Sequence, residues 1–197
     1  MVGKIRRVKS FHESGHAVIA RVLGIQVSGV TMRPAGPDNT AGVETLPASW
    51  LARNSDTAEQ VFACENDAIV AFAGMAAQAR SHPSLLVKID NPEFQGDIEN
   101  ARRLVANIVL VLSGERVFED ERSPPLSGEN LRKAKGKFDE LLQRTHALVD
   151  EHWRAIQRVA RALETHDRID QTELDQLIDR AQRLATIHSE SVRGPSR

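Results

Sequence analysis

Long stretches of this chain repeat their apolar residues every three or four positions, the spacing that places them on one face of an α-helix. The clearest case runs from Lys4 to Leu23, and Gly24 marks its end. Further helices are predicted for 55–81 and for 98–112. Aromatic residues make up 4% of the chain and tyrosine is absent, which favours aliphatic helices over a β-sandwich. The sequence therefore predicts a mainly α-helical fold.

One segment has the pattern of β structure. Residues 27–33 and 40–46 are β-branched and alternating, and the proline- and glycine-rich stretch 34–39 separates them. We expect a small hairpin-like β element directly after the first helix, and no other stretch predicts a strand.

The C-terminal part is predicted to be helical throughout. Residues 123–128 have the composition of a linker, 129–165 have the pattern of one long charged helix, and a shorter helix over 171–186 follows a turn at Asp167 and Arg168. We expect one domain, with its core in 1–122, a C-terminal helical part in 123–190 and a disordered tail in 191–197.

The charge balance excludes some classes of protein. There are 26 basic and 27 acidic residues, so the chain as a whole offers no electrostatic footprint for nucleic acid. No run of about 18 apolar residues occurs, so we expect a cytoplasmic protein that does not insert into a membrane. The single cysteine, Cys64, lies in an apolar stretch and is predicted to be a buried structural thiol.

The first helix carries the sequence His12-Glu13-Ser14-Gly15-His16, an H-E-x-x-H motif. Residues four apart on a helix lie one above the other, so both imidazoles can reach one zinc ion. Glu13 then lies beside the metal, where its carboxylate can take a proton from a zinc-activated water as that water attacks a peptide carbonyl.

Glu13 also has a purely structural interpretation. Ser10 and Glu13 have the spacing of a capping box, in which Ser10 would cap the helix and Glu13 would close its start. Apolar periodicity that begins at Ile5 argues against this, because it places the helix start well before Ser10.

Catalytic zinc usually has three protein ligands, so a third is expected from elsewhere in the chain. Asp97 is the leading candidate because it lies at the start of a predicted helix that should pack near the motif; Asp90, Glu93, Glu65 and Asp67 are the alternatives. Capping of the helix that follows would explain Asp97 equally well.

Several segments, taken in order, resemble the peptidase domain of the FtsH family of ATP-dependent zinc metalloproteases. Residues 9–18 look like its H-E-x-G-H-A helix, 29–34 and 41–43 are similar to its strands, and 68–77 match its helix with a small-residue patch. Residues 96–101 are similar to the segment whose aspartate is the third zinc ligand. The resemblance implies a helical zincin-like metallopeptidase with zinc held by His12, His16 and Asp97.

The chain also departs from that family. It contains no G-x-x-x-x-G-K-[ST] phosphate loop, and Gln78 follows Ala77 where relatives often have glutamate. We therefore expect cleavage of already unfolded polypeptides, a separate ATPase chain as partner, or a longer gene product; the resemblance also allows a ring-like homo-oligomer. The alternative function is a non-catalytic module that partners an ATPase.

Overall fold

The computed structural model describes residues 2–32, 42–52, 55–83, 95–114 and 126–192. These residues form a mainly helical fold with one small sheet, as the periodicity and composition predict. In chain order the elements are α1 (Val2–Val22), β1 (Val27–Thr31), β2 (Gly42–Thr45), α2 (Ala48–Leu51), α3 (Thr57–Ser81), α4 (Gln95–Leu112), α5 (Gly128–Glu151), α6 (Trp153–Thr165), β3 (Arg168–Asp170) and α7 (Gln171–Val192). None of the described helices is both long and apolar enough to cross a bilayer.

Helix α1 lies at the centre of the fold. It packs on α3 along one side and on α6 along another, while α4 and α5 pack against α3. Val18 and Ile19 of α1 and Phe72 of α3 are almost completely buried. Full burial of each such side chain contributes about 1.5–3 kcal/mol, so the α1 to α3 contact is a main source of stability. Cys64 is buried in this core, and burial raises the pKa of its thiol to about 12, as expected of a structural cysteine.

The three strands form one antiparallel sheet in the order β2, β1, β3. The pairing of β1 with β2 confirms the predicted hairpin-like element, although Arg33 and Thr40 lie outside the described residues. Strand β3 pairs Ile169 with Val30, so the prediction of a simple turn at this point is wrong. A strand of three residues is too short to show an alternating pattern in the sequence.

The predicted single helix over 129–165 is also wrong, because the helical path breaks at His152. The backbone there has φ −97° and ψ 17°, and the His152 carbonyl accepts the N–H groups of Ala155 and Ile156 to start α6. The break lets α5 pack on α3 while α6 packs on α1. Apolar periodicity continues across the break, so the pattern of residues does not predict it.

Two helix boundaries also differ from the prediction. Helix α3 starts at Thr57, two residues after Ser55, and its N-cap Asp56 accepts the N–H of Glu59. Helix α7 continues to Val192, beyond the predicted end near Thr186.

Candidate metal centre

His12 and His16 lie one helical turn apart on α1, on the side that faces α3 and α4. Their Nε2 atoms are 3.0 Å apart, and their rings meet edge to face. The side chains are only 13% and 11% exposed. The motif therefore presents two nitrogen donors from a largely buried surface, as its spacing predicts.

Asp97 lies in the first turn of α4, and its carboxylate points to both imidazoles. Its Oδ2 atom is 3.1 Å from His12 Nε2 and 3.4 Å from His16 Nε2. Because α4 begins at Gln95, Asp97 is inside the helix and is not its N-cap. Within the described part of the chain, these three side chains are the one group of histidine, cysteine and acidic residues close enough to share a metal ion.

The other candidate ligands have different partners or cannot be placed. Glu65 forms ion pairs with Lys137 and Arg144 of α5. Asp67 accepts the backbone N–H groups of Ala48 and Ser49 and so holds the start of α2. Asp90 and Glu93 lie outside the described residues.

The orientation of the His16 ring is fixed by a carbonyl of α3. Its Nδ1–H donates to the Val70 carbonyl oxygen at 2.7 Å, which leaves the Nε2 lone pair directed at His12 and Asp97. Hydrogen bonds of this kind set the tautomer of histidines that bind metals.

Gly74 of α3 provides the space that the His16 ring occupies. A Cβ atom at this position would lie 2.3 Å from His16 Nε2, far inside van der Waals contact. Gly15 has a similar role on α1, because a Cβ there would lie 2.4 Å from the Ala73 carbonyl oxygen. The two glycines allow α1 and α3 to approach closely enough for the carbonyl of Val70 to reach His16.

Glu13 is buried beside the cluster, with 7% of its surface exposed. Burial raises the pKa of its carboxyl, and the nearby His16 and His12 partly oppose that shift. The capping-box interpretation does not hold, because Ser10 is in the interior of α1 and its hydroxyl donates to the Arg7 carbonyl. Glu13 is therefore free of a capping role.

The cluster needs a positive charge at its centre. Burial opposes protonation of His16, yet the hydrogen bond to Asp97 and the negative charges of Asp97 and Glu13 raise its pKa to about 9. Burial also opposes ionisation of Asp97, but the two imidazoles hold its pKa well below the usual range. Three electron-pair donors this close repel one another unless a proton or a metal ion lies among them.

The dimensions of the cluster can be compared with those of a zinc site. A tetrahedral zinc ion bonded at about 2.0–2.2 Å holds its donor atoms roughly 3.3–3.6 Å apart. The three separations here are 3.0, 3.1 and 3.4 Å, so small ring and carboxylate movements would match that geometry. Two imidazole nitrogens and a carboxylate oxygen are also a suitable donor set for zinc.

The roles of Gly74 and of the Val70 carbonyl are not evident from the sequence. An isolated glycine inside an apolar helical run is a recognisable sign of close packing. The identity of the group that fills the space, however, depends on how α3 is placed against α1.

The chain was also compared with known proteins. No protein-family model matches its sequence, and no curated protein matches it either.

Proposed function

We propose that this chain is a zinc-dependent metallopeptidase that hydrolyses peptide bonds in unfolded or flexible polypeptides. The observation that carries the proposal is the meeting of His12, His16 and Asp97 beside the buried carboxyl of Glu13. Catalytic zinc sites use three such ligands and keep a fourth position for water or substrate. The proposal includes the zincin-like fold and the likeness to the FtsH-family peptidase domain.

Each residue has a defined role in this proposal. When bound by His12, His16 and Asp97, zinc would supply the Lewis acidity that lowers the pKa of water and polarises a carbonyl. The Glu13 carboxylate accepts a proton from the attacking water and returns it to the leaving amine nitrogen. Burial raises the pKa of the Glu13 carboxyl, and this direction favours uptake of the proton from water.

We propose that the substrate aligns along the outer edge of β2. Strand β1 is central in the sheet, so within the described residues β2 is the edge strand of the 27–46 β element. An extended peptide can add to such an edge through backbone hydrogen bonds. The Asp67 carboxylate accepts hydrogen bonds from the N–H groups of Ala48 and Ser49. These bonds anchor the chain that follows β2.

The proposal is tested by measuring zinc content and casein degradation for the native chain and for Glu13→Gln. The variant should keep its zinc, because Glu13 is not a ligand, and should lose at least about a hundredfold in turnover, because the proton acceptor is gone. Glu99→Gln is the matched control, since Glu99 is an exposed glutamate of α4 and should keep full activity.

Two outcomes would contradict the proposal. Equal turnover in the native chain and in Glu13→Gln would remove the assigned proton transfer. A native chain that binds zinc tightly but cleaves neither casein nor short peptides, even with an ATPase added, would favour the non-catalytic module instead.

A further inference from the structure

A groove between α6 and α7 contains a line of arginines that is separate from the metal centre. Its volume is about 560 Å³, and Arg154, Arg158 and Arg161 line it. These residues are spaced four and three apart, so they form one stripe along α6. The buried residues of α6, such as Ile156 and Leu163, lie on the opposite face of the helix.

The three arginines have no acidic partner among the described residues. Ion pairs occur nearby, between Arg7 and Glu164 and between Arg80 and Asp150, but none includes a member of the stripe. Like charges three and four residues apart on a helix repel one another. The stripe is therefore an uncompensated positive charge on a chain whose net charge is −1.

The floor of the same groove is apolar. Ala162 of α6 and Leu177 and Ala181 of α7 line it beside the arginines. Among the described side chains of the lining, none is an aromatic residue that could stack on a nucleobase. An apolar floor with a basic wall fits an amphipathic acidic polypeptide better than it fits a nucleic acid.

We propose that this groove docks an acidic amphipathic helix of a partner protein. Arg161 lies seven positions after Arg154 on α6, a rise of about 10 Å, which two turns of a partner helix can match with carboxylates. Apolar side chains of the partner would contact Leu177 and Ala181. Arginine forms bidentate hydrogen bonds with carboxylates, so the pairing is specific as well as electrostatic.

The test uses a fluorescently labelled helical peptide with leucine on one face and glutamate on the adjacent face. Binding to the protein is measured by the fluorescence anisotropy of the peptide. Replacing Arg154, Arg158 and Arg161 together with glutamine should weaken binding at least about tenfold. The control replaces three exposed basic residues elsewhere, Arg102, Arg132 and Lys135, with glutamine. It changes the net charge equally and should alter binding less than about twofold.

Three outcomes would overturn the proposal. One is an equal loss of binding in the control variant, which would show a general charge effect. Another is equal binding of oligoglutamate without leucine, which would remove the role of the apolar floor. The third is tighter binding of a single-stranded oligonucleotide than of the peptide. Circular dichroism of both variants establishes that they fold.

Discussion

Helix α1 carries two groups of charged residues in different surroundings. In the buried group, His16 and Glu13 are buried beside Asp97 of α4. In the exposed group, Arg6 and Arg21 form ion pairs that remain partly exposed to solvent. The same helix therefore holds one group of charges that is largely withdrawn from water and another that water screens.

This difference determines what each group can do. Charges withdrawn from water interact strongly, and here they shift the pKa values of His16, Glu13 and Asp97. Ion pairs in contact with solvent contribute about 0–1 kcal/mol each. We expect changes in the buried group to alter metal binding, and changes in the exposed group to alter stability only slightly.

The largest effect is expected from Gly74→Ala. The added methyl group would overlap His16 Nε2, so the ring must leave its position and lose its hydrogen bond to Val70. Loss of a supporting hydrogen bond costs roughly 10–100-fold in metal affinity, and displacement of the donor atom costs more. We expect zinc affinity to fall at least about a hundredfold, measured by competition with a chelating dye.

Gly136→Ala is the matched control for this prediction. Gly136 lies in the exposed part of α5, and a Cβ there meets nothing within 4 Å. Alanine should stabilise that helix by about 0.5–1 kcal/mol and leave zinc affinity unchanged. Unchanged affinity in Gly74→Ala would show that the space beside His16 is not what positions its ring.

The next effect concerns the pH dependence of the metal-free protein. The pKa of His16 is raised from 6.5 to about 9 by folding, so the protonated ring stabilises the folded state fully below about pH 6.5. That contribution is lost as the pH rises through 9. In EDTA, we expect stability to fall on the order of 2 kcal/mol between about pH 6.5 and 9.5, measured by urea unfolding.

Two variants and the metal itself serve as controls for the pH dependence. His16→Gln should flatten the profile, whereas His146→Gln, which changes an exposed residue of α5, should leave it unchanged. With zinc bound, His16 is a neutral ligand and the fall should disappear. A flat profile for the metal-free native chain would contradict the pairing of protonated His16 with Asp97.

The parts of the site that have a fixed spacing can be predicted from the sequence. The four-residue step from His12 to His16 determines their common side of α1 whatever the rest of the fold does. Asp97 leads the acidic candidates because it lies at the start of a predicted helix. The resemblance of its segment to a known family favours the ligand role over the helix cap, a choice that spacing alone leaves even. The structure brings Asp97 to the two imidazoles, while zinc binding itself stays a prediction.

The features that the sequence did not reveal depend on contacts between distant segments. Strand β3 exists because Ile169 pairs with Val30, and three residues are too few for a recognisable pattern. The break at His152 follows from the separate packing of α5 and α6. In the same way, the space at Gly74 has meaning only once His16 is placed in it.

Among the solvent-exposed arginines Arg6 and Arg7 of α1, the larger loss of stability is expected from Arg6→Ala. The guanidinium donates to the carbonyls of Leu163 and His166 and to the Asp167 carboxylate, and so holds the end of α6. Because the Arg6 side chain is 32% exposed, solvent screens these bonds and the loss should be about 1 kcal/mol. Urea unfolding measures this loss of stability. A change in zinc affinity would contradict the independence of the buried and exposed groups.

The smallest effect is expected from Arg7→Ala, one residue further along. Arg7 Nε lies 3.5 Å from Glu164 Oε1, and the arginine side chain is 62% exposed. A single long contact in solvent gains little, because holding two flexible side chains together offsets most of the attraction. Unfolding free energy should therefore change by less than about 0.5 kcal/mol, as measured beside Arg6→Ala in the same denaturant series. A loss as large as that of Arg6→Ala would contradict this explanation. It would show that the contribution of each arginine does not depend on the number of bonds that it makes.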